Sequence, residues 1–470
     1  MATILTSGND GYIADGGEIV YAREGNDQIH IIHVDDSGGL GGFDFDYFAP
    51  TEVYGEQGDD YIVSFGWGDK LYGDSGNDTL IGGGGDDMLQ GGSGDDVIHT
   101  GASLDDDSME DGDTVWAGTG DDTVYLQSAS HGDAIRGEDG YDTLYLYNGN
   151  GHISQFSLLA GGSNSGLLAS GFEELHYFGS SGFEVIEGGN QDDWISGGGG
   201  TDLISALGGD DSLLGGTGAD VISGGSGIDI VWGGDDDDVI SGDDGNDTLL
   251  GEDGDDSIRD GRGNDSVSGG DGADTLRTGN GTDSVHGGDG NDIIREEGSD
   301  VISINYLGHV LSTVGGDKLY GDAGNDDIQG GSGHDMIDGG SGNDIIDGGA
   351  HVDVMTGGQG SDTFRYDELS DSGSGATRDT VTDFMVSNFG MATIDRIDLS
   401  AIDAVQSVAG NQSFTFIGSA GFSAEGQVRV VQQGDNAVVI VNTSGAGGGE
   451  MAIVLANFDA STINAADFIL

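Results

Sequence analysis

The sequence contains no cysteine, which excludes a disulfide-stapled scaffold and a thiolate metal centre and leaves oxygen as the abundant donor type. One proline in 470 residues leaves long stretches open to uninterrupted strand stacking. Basic residues are scarce. Twelve Lys and Arg stand against 87 Asp and Glu, for a formal net charge of -75 and a pI near 4.1. Such a surface repels nucleic acid and anionic lipid, so neither is an expected partner. No apolar run reaches the length of a membrane span, and the opening MATILTSGND lacks the basic and apolar segments of a Sec-type signal, so neither feature is expected. Aromatics make up only 7%, and with charge this high the composition is that of a disordered chain unless something neutralises it.

What the chain has in quantity is glycine, 96 residues, and aspartate on a fixed beat. From Gly188 to Arg295 it divides into twelve consecutive nonapeptides. The sixth position of each is Asp: Asp193, Asp202, Asp211, Asp220, Asp229, Asp238, Asp247, Asp256, Asp265, Asp274, Asp283 and Asp292. The eighth is always Val, Ile or Leu, and positions one, two and four are mostly Gly. A second run from Ser312 to Arg365 carries Asp317, Asp326, Asp335, Asp344, Asp353 and Asp362. A third, from Gly55 to His99, carries Asp60, Asp69, Asp78, Asp87 and Asp96. Short pieces hold Asp113, Asp122, Asp133 and Asp142 in register, and stretches around Asp10 and Asp27 read as worn copies. The only lysines, Lys70 and Lys318, sit at seventh positions near the start of a run, in the near-identical texts GDKLYGDSGNDTLIGG and GDKLYGDAGNDDIQGG. Duplication accounts for the pair; the alternative is a lysine shielding an exposed first turn.

The physics of the unit is legible. Gly belongs where the backbone takes positive φ and where carbonyls converge. In a three-residue strand the eighth-position aliphatic faces inward and its neighbours outward. Stacked coils place Asp on Asp about 4.8 Å apart, which is repulsive without a cation between them.

The repeat GGxGxDxUx, as in GGTGADVIS from Gly215 and GGSGNDIID from Gly339, resembles that of the RTX calcium-binding proteins. The resemblance implies an all-β fold, a parallel β-roll in which a six-residue turn binds Ca²⁺, a three-residue strand follows, and two nonapeptides make one coil. It makes the sixth-position Asp residues named in the three runs the expected metal ligands. If each ion needs matching turns two repeats apart, the runs supply ten, four and three sites, about 17 ions. Glu184 replaces Asp in GSSGFEVIE from Gly179 and shifts the oxygens there, and Asp236 replaces the fourth-position Gly in GGDDDDVIS from Gly233.

The organisation expected is degenerate repeats over 1–54, a first roll with interruptions over 55–145, an insertion at 146–178, a long roll over 179–295, a break at 296–311, a second regular roll over 312–365, and a C-terminal β-sandwich-like domain over 366–470. The insertion is expected to be ordered, with the outward face of Trp194, Leu214, Ile230, Trp232 and Leu250 as a place for it to dock. The opposite face carries Arg259, Arg277 and Arg295, 18 apart, either a ladder for an acidic or sulfated glycan or an offset to the Asp ladders. DRIDLSAIDA from Asp395, NQSFTFIG from Asn411, GQVRV from Gly426 and the terminal DFIL resemble the C-terminal domain of serralysin-type metalloproteases, which implies an uncleaved signal for a type I ABC exporter. NTSGAGGGE from Asn442 departs from that pattern in lacking an acidic loop.

No His is followed by Glu, no Ser lies in GxSxG, and neither lysine lies in a phosphate loop, so no enzyme is expected on these motifs. His30 and His33 fall on opposite faces of a strand. The reading is a secreted, extracellular or cell-surface calcium-binding repeat protein with a structural, matrix, surface-layer or adhesion role, extracellular polysaccharide or its own copies being the possible partners. The alternative is a secreted glycan-active enzyme or glycan-binding module whose repeats serve export and folding.

Overall fold

A computed structural model describes residues 2–4, 11–14, 19–23, 25–31, 50–64, 68–101, 112–127, 133–148, 155–158, 162–163, 168–297, 316–386, 394–408, 410–445 and 448–470. Among these the elements are strands, apart from two 3-10 turns at Ala460–Thr462 and Ala465–Asp467. Asp10 and His33 lie outside the described residues. The chain forms two compact units, Met1–Ser226 and Gly227–Leu470, and the division falls inside the twelve-repeat run.

In the first unit the strand Trp194–Gly199 pairs in parallel with Ser212–Thr217, and Leu203–Gly208 with Val221–Ser226. Ile195 therefore lies beside Leu213 and Ile204 beside Ile222, a register step of two nonapeptides. Leu71, Leu80, Leu89, Ile98, Ile195 and Leu213 are buried, the inward row that the eighth position predicts. Strands are longer than expected, six residues in these rungs rather than three. They run on through positions one to three of the following nonapeptide because those residues also pair, Gly198 with Gly216 and Gly199 with Thr217.

The breaks in the beat do not break the stack. Met88–Ser93 pairs with Thr114–Thr119, so the step lengthens to 26 while the pairing continues. The worn copies join as well, Ile19–Tyr21 pairing with Glu52–Tyr54. Within the stretch expected as an ordered insertion, 146–178, described residues pair in the same way: Thr143–Tyr147 with Glu174–Phe178, and Leu168–Ser170 with Ala134–Asp139. Among its described apolar residues Phe156, Leu158, Phe172, Leu175 and Tyr177 are buried, while Leu168 is exposed. Phe156 pairs with Ile186, packs against Tyr177 and is buried, so this part supplies a rung instead of docking on the outward face. On that face Trp194 meets Phe178 in the first unit, while in the second Trp232 lies beside Leu250 and Ile230 stays exposed.

In the second unit Ser284–Asp289 pairs with Lys318–Ala323, and Ile293–Glu296 with Asp327–Gln329. Backbone pairing of the long run thus resumes with strands of the Ser312 to Arg365 run. Lys318 lies between Ser284 and Met336, and Lys70 in the first unit between Glu52 and Met88, so neither lysine guards an open first turn. The segment from Tyr366 is built onto the roll. Val354–Thr356 pairs with Thr380–Val381, which pairs with Met451–Leu455, the last strand of an antiparallel meander with Asn436–Asn442 and Gln427–Gln433. On the other side Thr363–Arg365 pairs with Arg396–Asp398, which pairs with Phe468–Ile469.

Candidate calcium-binding turns

All the sixth-position Asp residues point into the turns and are buried. Each takes part in a ladder in which the backbone N–H of one donates to Oδ1 of the next. In the second unit one ladder runs from Asp229 through Asp247, Asp265, Asp283, Asp317, Asp335 and Asp353 to Asp379. The other runs from Asp238 through Asp256, Asp274, Asp292, Asp326, Asp344 and Asp362 to Asp395. In the first unit Asp27, Asp60, Asp78, Asp96, Asp122 and Asp142 form one series, Asp142 donating to Glu173. Thr51, Asp69, Asp87, Asp113 and Asp133 form another. Asp193 leads to Asp211, and Asp202 to Asp220.

The second carboxylate oxygen decides what the turns can hold. Oδ2 of Asp60, Asp78, Asp96, Asp122, Asp247, Asp256, Asp274, Asp292, Asp326, Asp344 and Asp362 is buried with no hydrogen-bond donor. A buried carboxylate left so is costly unless a cation or proton compensates it. The first glycine of each repeat keeps open the space beside that oxygen. A Cβ placed on Gly251 would lie 2.2 Å from Asp256 Oδ2 and 2.4 Å from the Gly269 carbonyl oxygen. One placed on Gly321 would lie 2.5 Å from both Asp326 Oδ2 and the Gly339 carbonyl oxygen. A carboxylate from one turn and a carbonyl from the turn two repeats on therefore face one gap, an all-oxygen donor set that fits a hard cation such as Ca²⁺.

Burial raises these acids. Desolvation pushes Asp60 up to about 7, Asp96 to about 8 and Asp353 to about 9, and neighbouring Asp charges add to it, while the donated N–H pulls the other way.

Some turns differ. Asp69 Oδ2 accepts the Ser64 hydroxyl, and Asp193 Oδ2 accepts from the Gly189 N–H, so these two already have donors. Glu184 joins the ladder as a donor, its N–H 2.7 Å from Asp202 Oδ1, but its own Oε1 is held by the Ser180 hydroxyl and by Asn148 Nδ2. Asp236 tolerates its glycine position by adopting φ +81°. The sequence reading missed Asp379 and Asp395, the last members of the two ladders. Their signal was present: DTV from Asp379 and DRI from Asp395 repeat the sixth-to-eighth spacing of the nonapeptide.

The arginine face does not offset the Asp ladders, which are interior. Arg259 and Arg277 reach Glu297 at 3.7 and 3.2 Å, and Arg295 reaches Asp327 at 2.5 Å. His30 lies beside Tyr61.

The RTX calcium-binding nonapeptide repeat family, described in four-copy blocks, matches residues 69–105, 109–128, 129–150, 178–213, 214–249, 241–276, 250–285, 268–295, 312–346 and 329–364, more than half of the chain. The chain belongs to this family. It is a calcium-binding repeat protein. Among curated proteins none matches it. Among solved structures, the AlgE6R3 subunit of the Azotobacter vinelandii mannuronan C5-epimerase is 30% identical over 34% of this chain and 81% of its own, with a TM-score of 0.24. The AlgE6R2 subunit of the same epimerase is 26% identical over 33% and 91%, TM-score 0.24. The extracellular lipase LipA from Serratia marcescens is 17% identical over 54% and 40%, TM-score 0.12. Likenesses at these TM-scores carry no argument about this chain.

Proposed function

We propose that this RTX protein is exported unfolded by a type I ABC exporter, folds outside the cell as calcium binds its sixth-position Asp residues, and serves there as a structural or adhesive body and not as an enzyme. The observation that carries the reading is the series of buried Oδ2 atoms with no donor, facing carbonyl oxygens across the gap that the first glycine leaves. Where calcium is scarce, repulsion among the ladders opposes folding, and an unfolded chain is what a narrow channel accepts. Where calcium is abundant, binding to the folded state alone pulls the equilibrium over. The segment from Tyr366 is assigned the export signal through its resemblance to the serralysin-type domain, and the absence of HExxH, GxSxG and a phosphate loop supports a non-catalytic role. The ladders continue across the breaks, which supports sites beyond the about 17 counted in the three runs.

Two measurements test this. Far-UV circular dichroism of the chelated protein should show little β structure and gain it cooperatively with added calcium; a spectrum indifferent to chelator contradicts the folding half. In a host carrying a type I exporter, deleting Asp395 to Leu470 should keep the protein inside the cell, and residues 366–470 fused behind an unrelated passenger should carry it out. Equal release of the truncated and full chains contradicts the export half.

A further inference from the structure

At one interior first position the residue is a carboxylate instead of the usual glycine. In DGRGNDSVS that residue is Asp260, aligned with Gly242 and Gly251 of the preceding repeats. Asp260 is fully buried, 0% exposed. Its Oδ1 accepts the N–H groups of Gly261 and Gly279, each at 2.6 Å. Its Oδ2 is buried with no donor, as is Oδ2 of Asp265 in the same turn. The third member is Asp283, two repeats on, also buried. One carboxylate oxygen from each of Asp260, Asp265 and Asp283 lies within 4.8 Å of the other two. Thr278, the next first-position residue on this side, is buried as well, and its hydroxyl has no partner.

We propose that Asp260, Asp265 and Asp283 together hold one divalent cation, calcium by their chemistry, in a site of a different kind from the ordinary turns. An ordinary turn sets a single carboxylate oxygen against a backbone carbonyl. Here three carboxylates converge in the interior. Oxygens up to 4.8 Å apart suit ligands spread around an ion at about 2.4 Å, the distance calcium takes, and the absence of sulfur or imidazole from the cluster disfavours softer metals. Affinity of calcium sites rises with the number of charged ligands and with rigidity, and this cluster has both more charge and two backbone N–H groups fixing Asp260. It rests on the reading that the repeats bind calcium, but it asks for something that reading does not: one ion held more tightly than the rest.

The test is calcium binding by equilibrium dialysis on the full chain, with Asp260→Gly and Asp260→Asn beside the native protein. Asp260→Gly writes the residue that the repeat carries elsewhere, and Asp260→Asn keeps the shape while removing the charge. The native chain should bind one equivalent at least tenfold more tightly than the average of the others. Both variants should lose that equivalent while keeping the remaining ions and the calcium-induced far-UV spectrum. A native chain whose ions fall into one affinity class overturns the proposal, as does a tight equivalent that survives in either variant. Failure of calcium to fold the native chain would instead contradict the broader reading, so the two failures are told apart.

Discussion

Glycine does two separate jobs in the nonapeptide, and the structure assigns them to different positions. At positions two and four it supplies positive φ, as at Gly216 (φ +115°) and Gly218 (φ +109°). Asp and Glu take over several second positions, Asp243 and Glu252 among them, by accepting the left-handed conformation. At position one the need is space. Gly251 has no left-handed φ, yet a side chain there would run into Asp256 Oδ2 and the Gly269 carbonyl. Gly251→Ala should therefore destabilise the calcium-loaded protein by about 1–3 kcal/mol, the usual cost of overpacking, and raise the calcium midpoint. Gly421→Ala, where a Cβ meets nothing within 4 Å, is the control and should leave both unchanged. Thermal unfolding and a calcium titration followed by circular dichroism check the pair; equal behaviour would mean that the first-position gap is not needed.

At the scale of elements, the rule is that pairing partners are set by inward-facing side chains and not by the regularity of the text. Phe156 shows it best. It lies in a stretch with no nonapeptide rhythm, yet it pairs with Ile186 and packs on Tyr177 in the interior. Phe156→Ala should cost about 3–5 kcal/mol in saturating calcium, whereas Leu168→Ala, at a position 60% exposed, should cost little. A small effect at Phe156, read by thermal unfolding, would return that stretch to the status of a surface appendage. The rungs from Gly188 to Arg295 were legible because one residue type recurs at one spacing, and their inward row follows from the pleat. The rungs at Leu168–Ser170 and Thr380–Val381 were not, because a rung needs only a short apolar centre and a partner, and two or three residues leave no periodic signal. Asp260 was hidden for the opposite reason. In a chain with 87 acidic residues one more Asp carries no information until its burial is known.

For each unit as a whole, the buried carboxylates tie stability to protons as well as to calcium, and the two act in opposite directions. In the absence of metal, burial holds Asp60, Asp247, Asp274 and Asp344 near 7, Asp96 near 8 and Asp353 near 9, above the ordinary carboxylate value of 3.8. A folded state with raised acid pKa values holds more protons than the unfolded chain, so its stability falls as pH rises. The contribution of these groups is complete below about pH 3.8 and is lost as pH climbs through the folded values, between about 7 and 9. Chelated protein should accordingly show more β structure at about pH 5 than at about pH 8. Calcium reverses the order, since its ligands must be deprotonated and protons compete for the same oxygens. The calcium midpoint should therefore rise on acidification from about pH 8 to about pH 5, even as the metal-free chain gains structure. Far-UV spectra taken across that range, with chelator and with a calcium titration at each pH, read both trends. If the chelated chain is equally unstructured at every pH, the ladders are not held back by their own charge. If the calcium midpoint is flat, the buried carboxylates are not the ligands.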